Sequence, residues 1–232
     1  MKILAMGIHP DDVELGCGGT VILAAELGHE VTVIDLSDGS AASNGSVADR
    51  AREAAKAAKI MGVERRLNLE LPDAHIRTED TDQLRTVVAA IREVRPEVML
   101  LPSSDDPHPD HALGGELLKH AVYFAGLRGY EPERPAWSVR YAMIYAGRIE
   151  FVPDVIVDVA TTFKKKMDAI QAHETQFIPG GSRQPTPLNS PGFLASIEAR
   201  GRLFGQKINA EFGEPFRLLG PLALGDFKVF EA

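Results

Sequence analysis

Apolar and polar positions along this chain alternate between two periods. Short runs rich in Val, Ile, Leu and Met at 2–6, 31–36, 67–71, 98–102, 140–145 and 155–159 read as strands. Between them, at 18–27, 47–61, 81–92, 111–124 and 161–172, apolar residues recur three or four apart, the spacing of one helix face. The second of these, DRAREAAKAAKIMG, ends on Gly62, a residue suited to the left-handed position that closes a helix. Short strands alternating with amphipathic helices predict βαβ units, an α/β fold with a mostly parallel central sheet. Residues 177–191, FIPGGSRQPTPLNSP, obey neither period. Their Gly, Pro and Ser content predicts a loop, and its length suits a mobile binding loop or lid better than a connector. One more helix is expected at 191–209 and a tail strand at 227–230. Nothing in the pattern divides the chain, so residues 1–232 are read as a single domain.

Composition narrows the partners. Apolar residues make up 44% of 232, enough for a sizeable core, and the net charge of −8 disfavours nucleic acid or an anionic membrane. An anionic small molecule stays open, because one local arginine can override the global charge. The single cysteine, Cys17, excludes an intrachain disulfide framework and suits a reducing cytoplasm. Buried packing is its expected role. Asp11 and Asp12 interrupt the N-terminal apolar stretch too early for a secretory signal, and no apolar run is long enough to span a bilayer. The expectation is a cytoplasmic protein.

Ionisable groups gather where two strands end. His-Pro-Asp-Asp at 9–12 follows the first strand, and His-Pro-Asp-His at 108–111 follows the fourth. In an open parallel sheet ligands bind at the carboxyl ends of the strands, so these loops should share one rim with 37–46 and 72–75. One such turn reads as an ordinary cap or surface loop. Two, each stiffened by a proline, read as one divalent-metal site. His9, Asp12 and His111 supply two imidazoles and a carboxylate. The side chain of Asp11 diverges from that of its neighbour, which leaves it to act as general base toward water. His108 would sit opposite and stabilise a developing oxyanion, with Asp110 holding its ring. Other motifs fail. GCGGTV at 16–21 lacks the last glycine of a dinucleotide fingerprint, and HEVTV at 29–33 and HETQF at 173–177 lack the second histidine of a zinc-protease helix.

HPDDVELGCGG (9–19) and HPDH (108–111) resemble the two signature motifs of the PIG-L/LmbE-like zinc-dependent N-deacetylases. DRAREAAKAAKIMGV (49–63), LPD (71–73), AIQAHETQF (169–177) and FGEPFR (212–217) resemble the bacterial branch that deacetylates N-acetylglucosaminyl malate in bacillithiol biosynthesis. The resemblance implies a Rossmann-like three-layer αβα fold, a homo-oligomer such as a hexamer, and a small-molecule N-acetylated amino sugar as partner. It implies one Zn2+ per chain on His9, Asp12 and His111. It also implies Asp11 as base, His108 as the group that stabilises the tetrahedral intermediate with Asp110 beside it, and Arg50 as a substrate contact. A guanidinium there suits the carboxylates of a malate aglycone, though a solvated helix-face residue reads equally well from the pattern. His173 and Gln176, ending a helix before the Gly/Pro loop, are expected to touch substrate. Asp73 and His75 read as rim residues or as an ordinary turn; His29 and His120 fall away from the rim. Residues 37–48, SDGSAASNGSVA, depart from the family pattern by having no arginine before Arg50, which leaves the aglycone open. Alternatives are another N-acetylglucosamine conjugate (a chitin disaccharide or an inositol conjugate), a non-catalytic metal- or sugar-binding module, and iron or manganese in place of zinc.

Overall fold

A computed structural model describes residues 1–181 and 183–223. In chain order its elements are β1 (Lys2–Gly7), α1 (Asp12–Glu26), β2 (Glu30–Ser37), α2 (Val47–Met61), β3 (Arg65–Leu71), α3 (Thr81–Val94), β4 (Val98–Pro102), α4 (Pro109–Ala125), β5 (Tyr141–Tyr145), β6 (Val155–Asp158), α5 (Phe163–Gln171), α6 (Glu174–Phe177), α7 (Phe193–Gln206) and β7 (Gly213–Leu218). The strands form one seven-stranded sheet in the order β3-β2-β1-β4-β5-β7-β6. β1 to β5 run parallel to one another, and β7 enters antiparallel between β5 and β6. The chain winds outward from β1 to β3, then returns to place β4 against the other side of β1, with Ile3 opposite Val98 and Ala5 opposite Leu100. That reversal opens a crevice between the loops leaving β1 and β4. The two metal-type motifs occupy those loops.

Helices cover both faces, which gives three layers. On one face Leu84, Val87 and Ile91 of α3 and Leu117, Leu118 and Ala121 of α4 pack on Leu4, Met6, Ile34 and Met99. On the other, Val13, Val21 and Ile22 of α1, Ala57 and Met61 of α2 and Ala169 of α5 cover Ala5, Val31, Val33 and Leu100. Each Val, Leu, Ile or Met side chain among them contributes about 1.5–3 kcal/mol on leaving water, before entropy is charged against it. Local signals set the ends. Ser46 accepts from the Asp49 amide while Asp49 accepts from the Ser46 amide, a capping box, and Gly62 at φ 74° closes α2. Asp80 caps α3 through the amides of Asp82 and Gln83.

One strand is unexpected, and two expected helix boundaries change. Residues 213–218 are a strand inside the sheet although Pro215 lacks an amide hydrogen and strands disfavour Glu. The helix expected from residue 18 starts at Asp12 and carries a break at Cys17, where φ is −140° and ψ 20°. The helix expected over 161–172 runs Phe163–Gln171, and a separate turn, α6, follows it. The tail strand expected at 227–230 lies outside the described residues. Among those described, no helix is long and apolar enough to cross a membrane.

Candidate active site

The turn after β1 closes on itself. Asp12 Oδ2 accepts from the amides of Ile8 at 2.9 Å and His9 at 2.8 Å, which turns its other oxygen, Oδ1, toward His111 Nε2 at 3.4 Å. His9 Nδ1 lies 3.2 Å from the same His111 nitrogen. The far sides of both rings face carboxylates. His9 Nε2 is 2.9 Å from Asp73 Oδ1 and 3.6 Å from Asp110 Oδ2, and His111 Nδ1 is 3.5 Å from Asp106 Oδ1. Carboxylates only accept, so the ring protons sit on those outer nitrogens. The inner nitrogens then present lone pairs to each other and to Asp12.

Lone pairs this close repel unless a cation lies between them. Two imidazoles and one carboxylate, each imidazole backed by a carboxylate, are the donor set of a divalent metal, and the donor atoms of His9, Asp12 and His111 lie within 4.8 Å of one another. The surroundings favour a positive charge at this point, which a proton on His9 Nδ1 supplies where no ion does: burial works against charge on His9, yet Asp110, Asp73 and Asp12 push its pKa up to about 10. Burial also opposes ionisation of Asp12, but His111, His9 and two backbone amides hold its carboxyl below the usual range. Asp73 and Asp110 form a second group with His9, and their contacts with its outer nitrogen account for that group.

Asp11 stands beside this cluster on a strained backbone, at φ 140°, which a side chain rarely adopts. Burial pushes its pKa up to about 6, with Arg50 opposing and Asp12 adding to the rise. Arg50 places NH2 3.2 Å from Asp11 Oδ2 and 2.8 Å from the Pro10 carbonyl, while its buried Nε has no partner among the described residues. His108 precedes α4 and caps it, Nδ1 accepting from the Asp110 amide at 3.2 Å. Its proton is therefore on Nε2. Burial and the neighbouring imidazoles of His111 and His9 lower its pKa, so the ring is a neutral donor. Contrary to the expectation from sequence, the Asp110 carboxylate does not hold the His108 ring, which meets the Asp110 amide instead. Its Oδ2 accepts from the Ala74 amide at 2.7 Å and faces His9, because the first turn of α4 points that side chain at β1.

His9, Asp11, Asp12, His108 and His111 line a cavity of about 670 Å³, a volume suited to a small-molecule ligand. Arg50, Tyr145, Arg148, Phe193, Ile197 and Arg200 are among its walls. Residues 186–188 of the Gly/Pro loop also line it. That loop is tied down: Asn44 of the loop after β2 exchanges hydrogen bonds with the backbone of Gln184, at 2.9 and 2.7 Å. Gln176 lines the cavity, yet its Nε2 donates to the Asn44 carbonyl and Thr175 Oγ1. His173 does not reach the cavity. It is fully buried 3.1 Å from Glu14 Oε1, which Arg66 also pairs. A histidine just past a helix end reads like a pocket residue, but the chain turns inward there. Sequence reasoning left Asp106 without a role; its Oδ1 accepts from the His108 amide at 2.9 Å, and an Asp two residues before a turn histidine is the signal that was available.

A family model described as GlcNAc-PI de-N-acetylase, PIG-L, matches residues 4–122, which span both loops. The diacetylchitobiose deacetylase of Thermococcus kodakarensis is 30% identical, over 76% of this chain and 70% of that protein. The 4-oxalmesaconate hydratase of Pseudomonas putida is also 30% identical, over 72% and 71%. The Bacillus cereus protein called Probable N-acetyl-alpha-D-glucosaminyl L-malate deacetylase 2 is 28% identical, over 75% and 83%. The crystal structure of the conserved protein TT1542 from Thermus thermophilus superposes with a TM-score of 0.87 at 30% identity, covering 97% of both chains.

Proposed function

The chain belongs to the PIG-L family, and we propose that it is a zinc-dependent deacetylase that hydrolyses the acetamide of an N-acetylglucosamine conjugate. One observation carries this reading: His9 Nδ1, Asp12 Oδ1 and His111 Nε2 converge with their outer faces fixed, beside a buried Asp11 and a neutral His108. When bound, the ion supplies Lewis-acid polarisation and makes water nucleophilic near neutral pH. Asp11, with its raised pKa and strained backbone, takes the proton of the attacking water. His108 Nε2–H donates to the oxygen on which charge develops as the acetyl carbon becomes tetrahedral. Asp11 then returns that proton to the departing amine, since a neutral His108 offers only a hydrogen bond. Asp73, Asp110 and Asp106 act through the rings they hold.

N-acetylglucosaminyl malate is the substrate proposed, placing the enzyme in bacillithiol biosynthesis. The motifs at 49–63 and 212–217, the Bacillus relative and the unpartnered Arg50 Nε support it, since a malate carboxylate would complete that donor. Assembly as a homo-oligomer belongs to the same proposal, and light scattering reads it. The decisive experiment measures amine release from N-acetylglucosaminyl malate, diacetylchitobiose and an N-acetylglucosaminyl inositol by enzyme of known zinc content. Faster turnover of the malate conjugate is expected. No amine from any of the three, with hydration of 4-oxalmesaconate instead, would overturn the deacetylase reading in favour of the chemistry of the Pseudomonas relative.

A further inference from the structure

The first helix is two helices, and the accounting of its freed backbone groups leads to two charged side chains far along the chain. At the break at Cys17 the Leu15 carbonyl and the Gly19 and Thr20 amides are met by side chains. Arg200 of α7 donates NH2 to the Leu15 carbonyl at 2.9 Å. Glu214 of β7 accepts from the Gly19 amide at 2.9 Å, the Thr20 amide at 2.7 Å and Thr20 Oγ1 at 2.6 Å. Lys166 of α5 neutralises that carboxylate at 2.6 Å, and both members of the pair are buried. Glycine is required on each side of the break: a Cβ at Gly16 would lie 2.1 Å from the Tyr145 ring, and one at Gly19 would lie 2.9 Å from Val159 and 3.0 Å from Glu214 Oε1.

The short turn upstream of the break carries Asp11 and Asp12 and is closed by the Leu15 amide on the Asp11 carbonyl at 3.0 Å. Downstream helix cannot hold it, because the helical ladder is interrupted between them. We infer that Arg200 and Glu214 are positioning residues: they clamp the two sides of the break and thereby set the pose of Asp11 and Asp12. Arg200 also lines the cavity and donates to the Gly147 carbonyl, so one guanidinium joins the α7 wall to the turn that holds the base. Arg200, Glu214 and the Lys166 that neutralises it all lie beyond residue 122, outside the stretch that the family model matches.

This inference rests on the deacetylase reading for its kinetic readout and on zinc affinity for an independent one. Arg92 supplies the control. It is as buried as Glu214, donates to carbonyls that include Ala125 and Leu127, and lies in the last turn of α3 against the far end of α4. Arg200→Gln, Glu214→Gln, the milder Thr20→Val and Arg92→Gln are compared with wild type by thermal unfolding, by zinc competition with a chelator and by steady-state kinetics. Arg200→Gln and Glu214→Gln should weaken zinc by about tenfold and lower kcat by at least about tenfold, with KM within about twofold. Thr20→Val should move both the same way by about threefold, which keeps the test alive where a bolder variant does not fold. Arg200→Lys should recover part of both losses. Arg92→Gln should lose melting temperature while zinc affinity and kcat per folded molecule stay at wild type. The inference is overturned where the clamp variants behave like Arg92→Gln, losing stability alone. Absence of amine release from wild type would remove the deacetylase reading, and the zinc measurement would still decide the clamp.

Discussion

The two His-Pro-Asp loops share three residues and almost nothing else. In the first, His9 aims Nδ1 at the metal-type cluster, Asp11 stands in the cavity wall at φ 140°, and Asp12 bonds two amides of its own turn. In the second, His108 caps α4 through Nδ1, Pro109 opens the helix, Asp110 turns away to the Ala74 amide, and only His111 faces the cluster. The difference is one of backbone. Where the chain after the proline enters a regular helix, the histidine becomes a cap and the aspartate faces the neighbouring strand's loop. Where it is forced to positive φ first, the histidine and the fourth residue converge and the third is left facing the cavity. Identical residues acquire different work from the conformation that presents them.

If the loops were equivalent, removing either histidine would have the same consequence. His9→Ala should abolish stoichiometric zinc, measured by metal analysis after dialysis, and amine release with it. His108→Ala should keep its zinc and lose roughly 10²–10⁴-fold in kcat, the range for a lost acid–base or oxyanion group. Zinc lost equally from both would erase the distinction. The aspartates should separate next. Asp11→Asn should lower kcat by roughly 10²–10⁴-fold with zinc retained, because the carboxylate proposed to take the proton is gone. Asp110→Asn should act through the His9 ring, weakening zinc by about 10–100-fold, with activity restored at saturating metal. Restoration of Asp11→Asn by excess zinc would mean that Asp11 is a ligand, and that its role and that of Asp12 had been exchanged.

How much of this was legible in sequence depends on where the partners of each residue lie. α2 was readable to both ends, because its signals, Ser46 with Asp49 and then Gly62, are local. The metal-type triad was readable because ligand types and strand ends sufficed; the crevice between β1 and β4 then brought them together. β7 was not, since Pro215 and Glu214 argue locally against a strand and only the sheet around them overrides it. The partners of the imidazoles were not either. Asp73 and Asp106 come from separate loops, and no spacing shared with His9 or His111 announces them. His173 was misplaced for the complementary reason: its helix-end position was local and visible, while the buried pair of Glu14 and Arg66 that claims it is assembled from three elements.

The smallest expected effect is also the cleanest contrast between the loops, because it reverses sign. Replacing Asp11 by Ala or by Gly removes the same carboxylate and leaves Arg50 in the same state, so the difference between those two variants isolates the backbone. At φ 140° a Cβ is unfavourable and glycine is not, so Asp11→Gly should be more stable than Asp11→Ala by about 1 kcal/mol. Asp110 lies in the first turn of α4, where backbone freedom is a cost, so Asp110→Ala should be more stable than Asp110→Gly by about 0.5–1 kcal/mol. Urea unfolding at fixed zinc reads both differences, and comparing variants within a position cancels the lost side-chain contacts. The same sign at both positions would mean that the first loop is not strained, and that its conformation is not what separates the base from the helix cap.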